Sequence, residues 1–495
     1  MFDDTIAAIA TPLGEGGLAV VRIAGPQALA VADECFVPVG KSSQKPSGAT
    51  SHTIQYGKIV RRIPRAPPSS RPVEAPHDKT RPPGCRRSRL PGEENLQVVD
   101  EVLLAVLRAP RTYTREDTVE ITCHGGLLPA KLVLDALLEN GARLAEPGEF
   151  TRRAFLNGRL DLTQAEAVAD LIHSRTELAL AAANEQLAGK LSQRVNELRD
   201  GMLQTLAHVE AHIDFPDEDI APDTRDQLLK RLENGVKFMD ELLRTANEGQ
   251  ILRRGIRAAI VGRPNVGKSS LLNQLLGRDR AIVSPIPGTT RDTIEETADI
   301  RGLPVVFIDT AGLREARDEI EQEGIRRSHE TLAKAEFILH VLDASEALTQ
   351  ADENFLGQFA GKKRILVRNK TDLPMRLELP PELRAAHPSP VGWVDVCCLS
   401  GRGIEALKDA IKDLIWSGEI KAEMLQAMIN SRHQDALNRA RAAAQRTMDA
   451  LRSNVMLELA ALDLRIAVNA IGEIVGKTAT EDLLDSIFSQ FCIGK

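Results

Sequence analysis

The octapeptide Gly262-Arg263-Pro264-Asn265-Val266-Gly267-Lys268-Ser269 fits the phosphate-loop pattern G-x-x-x-x-G-K-[ST]. In such a loop the glycines let backbone N–H groups close around phosphates. Lys268 reaches the β- and γ-phosphates, and the Ser269 hydroxyl ligates Mg²⁺. Asn265, Val266, Gly267, Lys268, Ser269 and Ser270 are therefore expected to hold a nucleoside triphosphate. Further along, Asn369-Lys370-Thr371-Asp372 carries the base reading. A carboxylate at Asp372 accepts from both guanine N1–H and the exocyclic amine, whereas adenine has no N1 donor. Leaving it half paired costs on the order of a few kcal/mol, so the expected nucleotide is GTP.

Between these motifs, Asp309-Thr310-Ala311-Gly312 supplies an aspartate for the Mg²⁺ water shell and a glycine to approach the γ-phosphate. Pro287-Gly288-Thr289-Thr290-Arg291-Asp292 supplies Thr290 as a second hydroxyl for Mg²⁺, and Ser284, Pro285 and Ile286 extend the same nucleotide-binding stretch. A loop of this kind orders with triphosphate and relaxes after hydrolysis. Ser400-Gly401 is expected to offer a backbone N–H to guanine O6; such loops usually read Ser-Ala, so the glycine is a departure. Leu313 stands where Ras-like switches carry the glutamine that orients the attacking water. An apolar side chain cannot do this. The missing group must come from a monovalent cation, an acidic residue further along, or a partner chain.

The elements that must position these residues follow from hydrophobic patterning. Apolar runs at Ile256–Val261, Val305–Asp309, Phe337–Asp343, Arg364–Arg368 and Val394–Leu399 alternate with helical stretches at Ser270–Leu276, Glu319–Ala335 and Ile404–Ile415. That alternation predicts a doubly wound, mainly parallel α/β domain over 256–418. On either side, Asp161–Ile213, Thr224–Gly249 and Glu419–Phe491 read as Ala/Leu-rich amphipathic helices. They predict one helical domain in two pieces, 151–255 and 419–495, interrupted by the nucleotide domain. Residues 1–150 read as α+β, with strands at Leu18–Ile23, Val102–Leu107 and Thr118–Cys123 and helices at Gln27–Cys35 and Leu127–Glu139. Within them, the Pro/Arg-rich stretch 61–93 is too polar to fold and is expected to be a disordered insertion. The fold class is thus multidomain α/β: an N-terminal α+β domain, a discontinuous helical domain, and an inserted Ras-like GTPase domain.

At 495 residues with 43% hydrophobic, 27% charged and 3% aromatic side chains, the chain has the composition of a helix-leaning globular protein of about three domains. No run approaches 18 apolar residues, which argues against a membrane span. The acidic start, Met1-Phe2-Asp3-Asp4, lacks a basic leader, so a cytoplasmic protein is expected. Cys35, Cys85, Cys123, Cys397, Cys398 and Cys492 show no metal-site spacing and read as reduced thiols. A net charge of −7 argues against coating nucleic acid by bulk electrostatics, so RNA contacts should be local.

Four stretches together carry a specific resemblance. They are Asp4-Thr5-Ile6-Ala7-Ala8-Ile9-Ala10-Thr11-Pro12 with Val21-Arg22-Ile23, the run Pro147 to Gly158, Asp214-Phe215-Pro216-Asp217-Glu218, and Phe491-Cys492-Ile493-Gly494-Lys495. With the nucleotide motifs they resemble the MnmE (TrmE) family of tRNA modification GTPases over nearly the whole chain; the 61–93 segment is the main departure. The resemblance implies that residues 1–150 dimerise the protein and bind 5-formyl- or methylene-tetrahydrofolate. Arg22, Glu120, Arg159 and Lys495 would contact that cofactor, with Arg159 replacing the family's usual lysine. It implies a homodimer that joins an FAD-dependent MnmG-type flavoprotein in a heterotetramer and adds a carboxymethylaminomethyl group to the tRNA wobble uridine. Asn265, Ser284, Ile286 and Thr289 match the family's K⁺ site and Glu321 its water-orienting acid. Lys268, Thr290, Glu321 and Cys492 are then the expected catalytic residues. A regulatory GTPase of ribosome assembly is the alternative, but it has no use for Arg22, Glu120 or a Cys-Ile-Gly-Lys ending.

Overall fold

The computed structural model describes residues 2–40, 44–62, 96–214, 225–277, 295–308, 334–358, 361–378, 393–416, 425–426, 428–453 and 457–495. The chain divides into two compact units, Met1–Leu160 with Thr480–Lys495, and Asp161–Ala479. The fold is a multidomain α/β one.

The first unit is built on β1 (Ile6–Ile9), β2 (Leu18–Ala24), α1 (Ala28–Cys35), β3 (Phe36–Pro38), β4 (Thr53–Arg62), β5 (Leu96–Leu107), β6 (Thr118–His124), α2 (Leu127–Glu139), β7 (Arg143–Leu144) and α3 (Glu149–Leu156). Its seven-stranded sheet has the order β3-β4-β5-β6-β2-β1-β7, antiparallel except where β7 joins β1. Alternate residues such as Val21, Ile23, Leu104, Val106, Val119 and Ile121 point to a core closed by Val133, Ala136 and Leu137 of α2. Arg61 and Arg62, read from sequence as the start of the insertion, instead end β4. There Arg61 pairs with Glu139 and Arg62 with Glu34, so two charged side chains extend the strand rather than break it. The rest of that stretch, 63–93, lies outside the described residues.

Beneath the sheet edge lies a charge network that patterning does not reveal. Arg153 of α3 is fully buried and donates to Asp4 Oδ1 at 2.7 Å, Glu149 Oε1 at 3.0 Å and Glu116 Oε1 at 3.3 Å. Arg143 binds the same Asp4 and Glu149 carboxylates. Removing one member of such a group strands the others. Arg153→Met is expected to lower the opening free energy of this unit by about 3–5 kcal/mol, read as faster hydrogen exchange along β1. Unchanged exchange there would mean that the network contributes nothing net.

The second unit begins with α4 (Leu162–His173), α5 (Glu177–Leu187), α6 (Lys190–Asp214), α7 (Arg225–Arg244) and α8 (Ala246–Arg254). A six-stranded sheet domain follows, made of β8 (Ile256–Val261), α9 (Lys268–Leu276), β9 (Glu296–Ile300), β10 (Leu303–Phe307), β11 (Phe337–Asp343), α10 (Gln350–Gln358), β12 (Lys363–Asn369), β13 (Trp393–Asp395) and α11 (Ile404–Ile415). The strand order is β13-β12-β11-β8-β10-β9, parallel except for β9. The chain then returns to helices with α12 (Ser431–Arg452) and α13 (Leu457–Val475). One apolar core joins Val195, Met202, Leu232 and Met239 of α6 and α7 to Leu437, Ala444, Leu464 and Ile471 of α12 and α13. Helices on both sides of the sheet domain therefore share a core, and neither set buries its apolar stripe alone.

Two boundaries differ from the sequence reading. Residues 151–160 and the helix Glu481–Phe488 belong to the first unit, not with the helices. Leu484, Ile487 and Phe488 bury their faces there, and Phe488 packs near Phe155 and Phe491 at centroid distances of 6.4 and 5.5 Å.

Candidate functional site

β8 delivers the chain into the phosphate loop and α9 leaves it at Lys268. Gly267 has φ +100°, and a Cβ there would collide with the Asn369 side-chain amide, so only glycine closes the loop onto the neighbouring strand. Lys268 Nζ lies inside the loop and donates to the Gly262 and Arg263 carbonyls at 2.7 and 2.8 Å. Burial pushes its ammonium below the usual lysine range, which favours exchanging carbonyl partners for a phosphate. Ser269 and Ser270 follow on the first turn of α9. Asn265 sits exposed at φ +63° at the loop tip.

Asn369 binds both halves of this site together. Its Nδ2 donates to Val266 O at 2.8 Å and its Oδ1 accepts from Cys398 N at 3.1 Å, which ties the phosphate loop to the loop bearing Ser400 and Gly401. Gln274 of α9 adds a bond to Cys398 O at 2.7 Å. Next in sequence, Lys370 takes φ +64° and its ammonium meets Asp343 Oδ2 at 2.6 Å. Burial alone would raise the Asp343 pKa, but Lys370 and Ser345 donate to it and hold it below the usual carboxylate range. The Asp372 carboxylate is exposed, and its Oδ1 accepts from Cys397 Sγ at 3.2 Å.

One expected contact is arranged differently. The Gly401 N–H donates to Cys397 O at 2.9 Å, within the turn, instead of standing free for a guanine oxygen. The strand expected over Val394–Leu399 stops at Asp395. Beyond it, Val396 N still reaches Arg368 O of β12 at 2.8 Å, but Cys397 N turns to Arg402 O at 2.8 Å, so from Cys397 the backbone bonds within its own loop and no longer to the neighbouring strand. Ser284, Pro285, Ile286, Pro287, Gly288, Thr289, Thr290, Asp309, Thr310, Ala311, Gly312, Leu313 and Glu321 lie outside the described residues. Among the described residues no cluster of three His, Cys, Asp or Glu side chains could hold a metal.

A second constellation lies in the first unit. Register places Arg22 of β2 directly opposite Glu120 of β6, and Arg22 Nε donates to Glu120 Oε1 at 2.8 Å. Arg22 Nη1 also reaches Gly494 O at 3.5 Å, and its guanidinium lies 5.7 Å from the Tyr113 ring centre and 5.6 Å from that of Phe150. Arg159 lies 4.9 Å from the same Tyr113 ring. The last residues are tied in through backbone bonds from Gly148 N to Cys492 O at 3.4 Å and from Phe150 N to Lys495 O at 3.2 Å. Cys492 is exposed. Arg22 and Arg159, far apart in sequence, thus meet on Tyr113, which sequence reasoning missed. It is one of two tyrosines in a chain with 3% aromatics, and that scarcity was the available signal.

Comparison with known proteins matches the chain to one family along nearly its whole length. Residues 5–159 match the family described as GTP-binding protein TrmE N-terminus, and residues 162–492 match the MnmE helical domain. The tRNA modification GTPase MnmE of Geobacillus thermodenitrificans (strain NG80-2) is 45% identical over 494 residues, 99% of each chain. The protein of the same name from Bacillus subtilis (strain 168) is 44% identical over 494 residues, 99% of this chain and 100% of its own. With a phosphate loop, a guanine-type Asn-Lys-x-Asp motif and both family domains in place along its length, the chain belongs to the MnmE family of tRNA modification GTPases.

Proposed function

We propose that this GTPase works as a K⁺-activated homodimer which, with an FAD-dependent flavoprotein partner, builds a carboxymethylaminomethyl group at C5 of the tRNA wobble uridine from a tetrahydrofolate one-carbon unit. The observation that carries the reading is the convergence of Arg22, Glu120, Arg159, Tyr113 and the Cys492–Lys495 tail in one unit. Guanidinium groups suit an anionic glutamate tail, a carboxylate accepts from pterin N–H groups, and an aromatic ring can stack on a flat heterocycle. Bound there, the folate supplies the one-carbon fragment. Arg22 and Lys495 hold its anionic end and Glu120 its donors, while Cys492 stands exposed at the same site.

In the nucleotide domain, Lys268 carries the charge for the β- and γ-phosphates, Ser269 and Thr290 hold Mg²⁺, Asp309 supports its water shell, and Asp372 reads guanine. Asn265 with Ser284, Ile286 and Thr289 would hold a K⁺, which would supply positive charge for the phosphoryl transfer, and Glu321 would orient the attacking water in place of the glutamine absent at Leu313. The loop around Gly267 supports the reading through Lys268, whose ammonium lies inside it on the Gly262 and Arg263 carbonyls, where a phosphate could replace them. Dimerisation is supported by the outer face of β4 and β5, where Tyr56 lies opposite Leu103 and both are about half exposed beside Ile54 at 70%. Apolar side chains grouped on one open strand face favour a partner surface.

Hydrolysis is expected to run at least about tenfold faster in K⁺ than in Na⁺, equivalent to about 1.4 kcal/mol of barrier. Glu321→Ala should lower kcat with little change in nucleotide affinity. Equal turnover in the two salts would remove the cation from the mechanism.

A further inference from the structure

Within the second unit, a cleft of about 210 Å³ opens where the helices meet the nucleotide-binding sheet. Its charged lining is His173, Arg175, Arg253, Arg254, Arg257 and Glu295, drawn from the end of α4 and its link to α5, the last turn of α8, the start of β8 and the approach to β9. The local sequence explains the concentration. Arg253 and Arg254 close α8, where cations favour the helix dipole. Gly255 then turns at φ +72° with Val306 Cγ2 only 2.7 Å from where a Cβ would stand, and Arg257 follows as the second residue of β8. An apolar plug of Ala179, Leu252, Leu303, Trp416 and Met428 fixes helices and sheet against each other beside the cleft.

Two of the four guanidinium groups in this lining, those of Arg175 and Arg254, have no carboxylate partner among the described residues. Arg253 is engaged by Asp170, its Nε 2.7 Å from Oδ2. Arg175 reaches only a neutral hydroxyl, Thr297. Arg257 Nη2 stands 4.0 Å from Glu295, both side chains being over 40% exposed. Arg254 is exposed and makes no hydrogen bond or ion pair among the described residues. Four guanidinium groups therefore share one lining carboxylate, on a chain whose net charge is −7.

We propose that this cleft binds a backbone phosphate of the tRNA substrate. The proposal rests on the chain's membership of the tRNA modification GTPases. Planar guanidinium forks match phosphate oxygens in pairs, and a concave cationic wall concentrates the local potential. The only aromatic ring in the described lining is the His173 imidazole, against four guanidinium groups, and its one carboxylate is drawn towards Arg257, so the charge of the cleft suits a phosphate. An acidic protein that handles RNA needs such local contacts, because its overall field repels the ligand. A phosphate held here touches the helices and β8 together, the strand that leads into the phosphate loop.

The test uses the full chain carrying Arg254→Glu with Arg257→Glu, and tRNA affinity measured by fluorescence anisotropy from low to moderate salt. Affinity is expected to fall about tenfold or more and the slope of log affinity against log salt to shrink by about 1 to 2, with GTP affinity and turnover unchanged. A control, Arg446→Glu with Arg452→Glu on α12, changes net charge equally and should leave the slope alone. Unchanged affinity and slope in the cleft variant overturn the proposal alone, as does an equal loss in the control. Loss of pyrophosphate binding by calorimetry without loss of tRNA affinity also overturns it, since the cleft would then serve a small anion. A wild-type chain that fails to bind tRNA at any salt overturns both the proposal and the reading beneath it.

Discussion

Deleting Phe491 to Lys495 is expected to abolish wobble-uridine modification while GTP hydrolysis stays within about twofold of the intact chain. Terminal segments usually fray unless something docks them, and this one is docked. Phe491 is buried against Phe488, Gly148 and Phe150 bond the Cys492 and Lys495 carbonyls, and Gly494, at φ +92°, lies against the Ile9 and Ala10 backbone where a side chain would not fit. The deletion removes one acceptor of Arg22, the exposed Cys492 thiol and the Lys495 ammonium together. All of these belong to the first unit, whereas the phosphate loop belongs to the second. The check is nucleoside mass spectrometry of tRNA from cells carrying only the shortened protein, beside turnover of the purified chain. Full modification would take the tail out of catalysis.

Asp372→Asn is expected to weaken GTP binding about a hundredfold and to admit xanthosine triphosphate. The substitution exchanges an acceptor for a donor opposite the guanine amine, and a site built around specific hydrogen bonds rejects a mismatched partner strongly. Cys397 Sγ, which now donates to Asp372 Oδ1, would retain an acceptor in the asparagine oxygen, so the loop should keep its shape. Direct titration with both nucleotides decides the matter. Equal GTP affinity before and after would mean that Asp372 does not read the base.

What could be read from sequence depended on how many residues had to agree before an element declared itself. Buried parallel strands are continuous apolar runs, and β8 and β11 lie where those runs lie; α11, with its apolar stripe, begins and ends at the expected residues. The β4 strand was not legible. Its Thr-Ile-Gln-Tyr-Gly-Lys stretch mixes polar and apolar residues because one face is open, and its pairing with β5 shifts register at Ile59 and Val60. Periodicity identified a helix near the end of the sequence but could not say which core it joins; Leu484, Ile487 and Phe488 would suit either. In the candidate site, motif residues with backbone roles were visible because glycine and lysine spacing is restrictive. The Asn369 tie between loops and the Tyr113 contacts were not, since each depends on partners far away in sequence.

The sequence separation inside the first unit affects how the protein is made. Its sheet is complete once Leu160 has been synthesised, yet the helix and tail that finish it begin at Thr480, about 320 residues later. At roughly 5–20 residues per second, a ribosome needs about 16 to 64 s to cover that distance. Throughout that interval the nascent unit must keep the Ile9–Ala10 backbone, the Arg22 guanidinium and the Phe155 face uncapped while the second unit is being synthesised. A polypeptide cut short by stalled translation or by proteolysis can therefore hold a well-formed nucleotide domain and still lack the piece that closes the other unit. The late arrival of the last residues makes completion of synthesis a condition for assembling that unit.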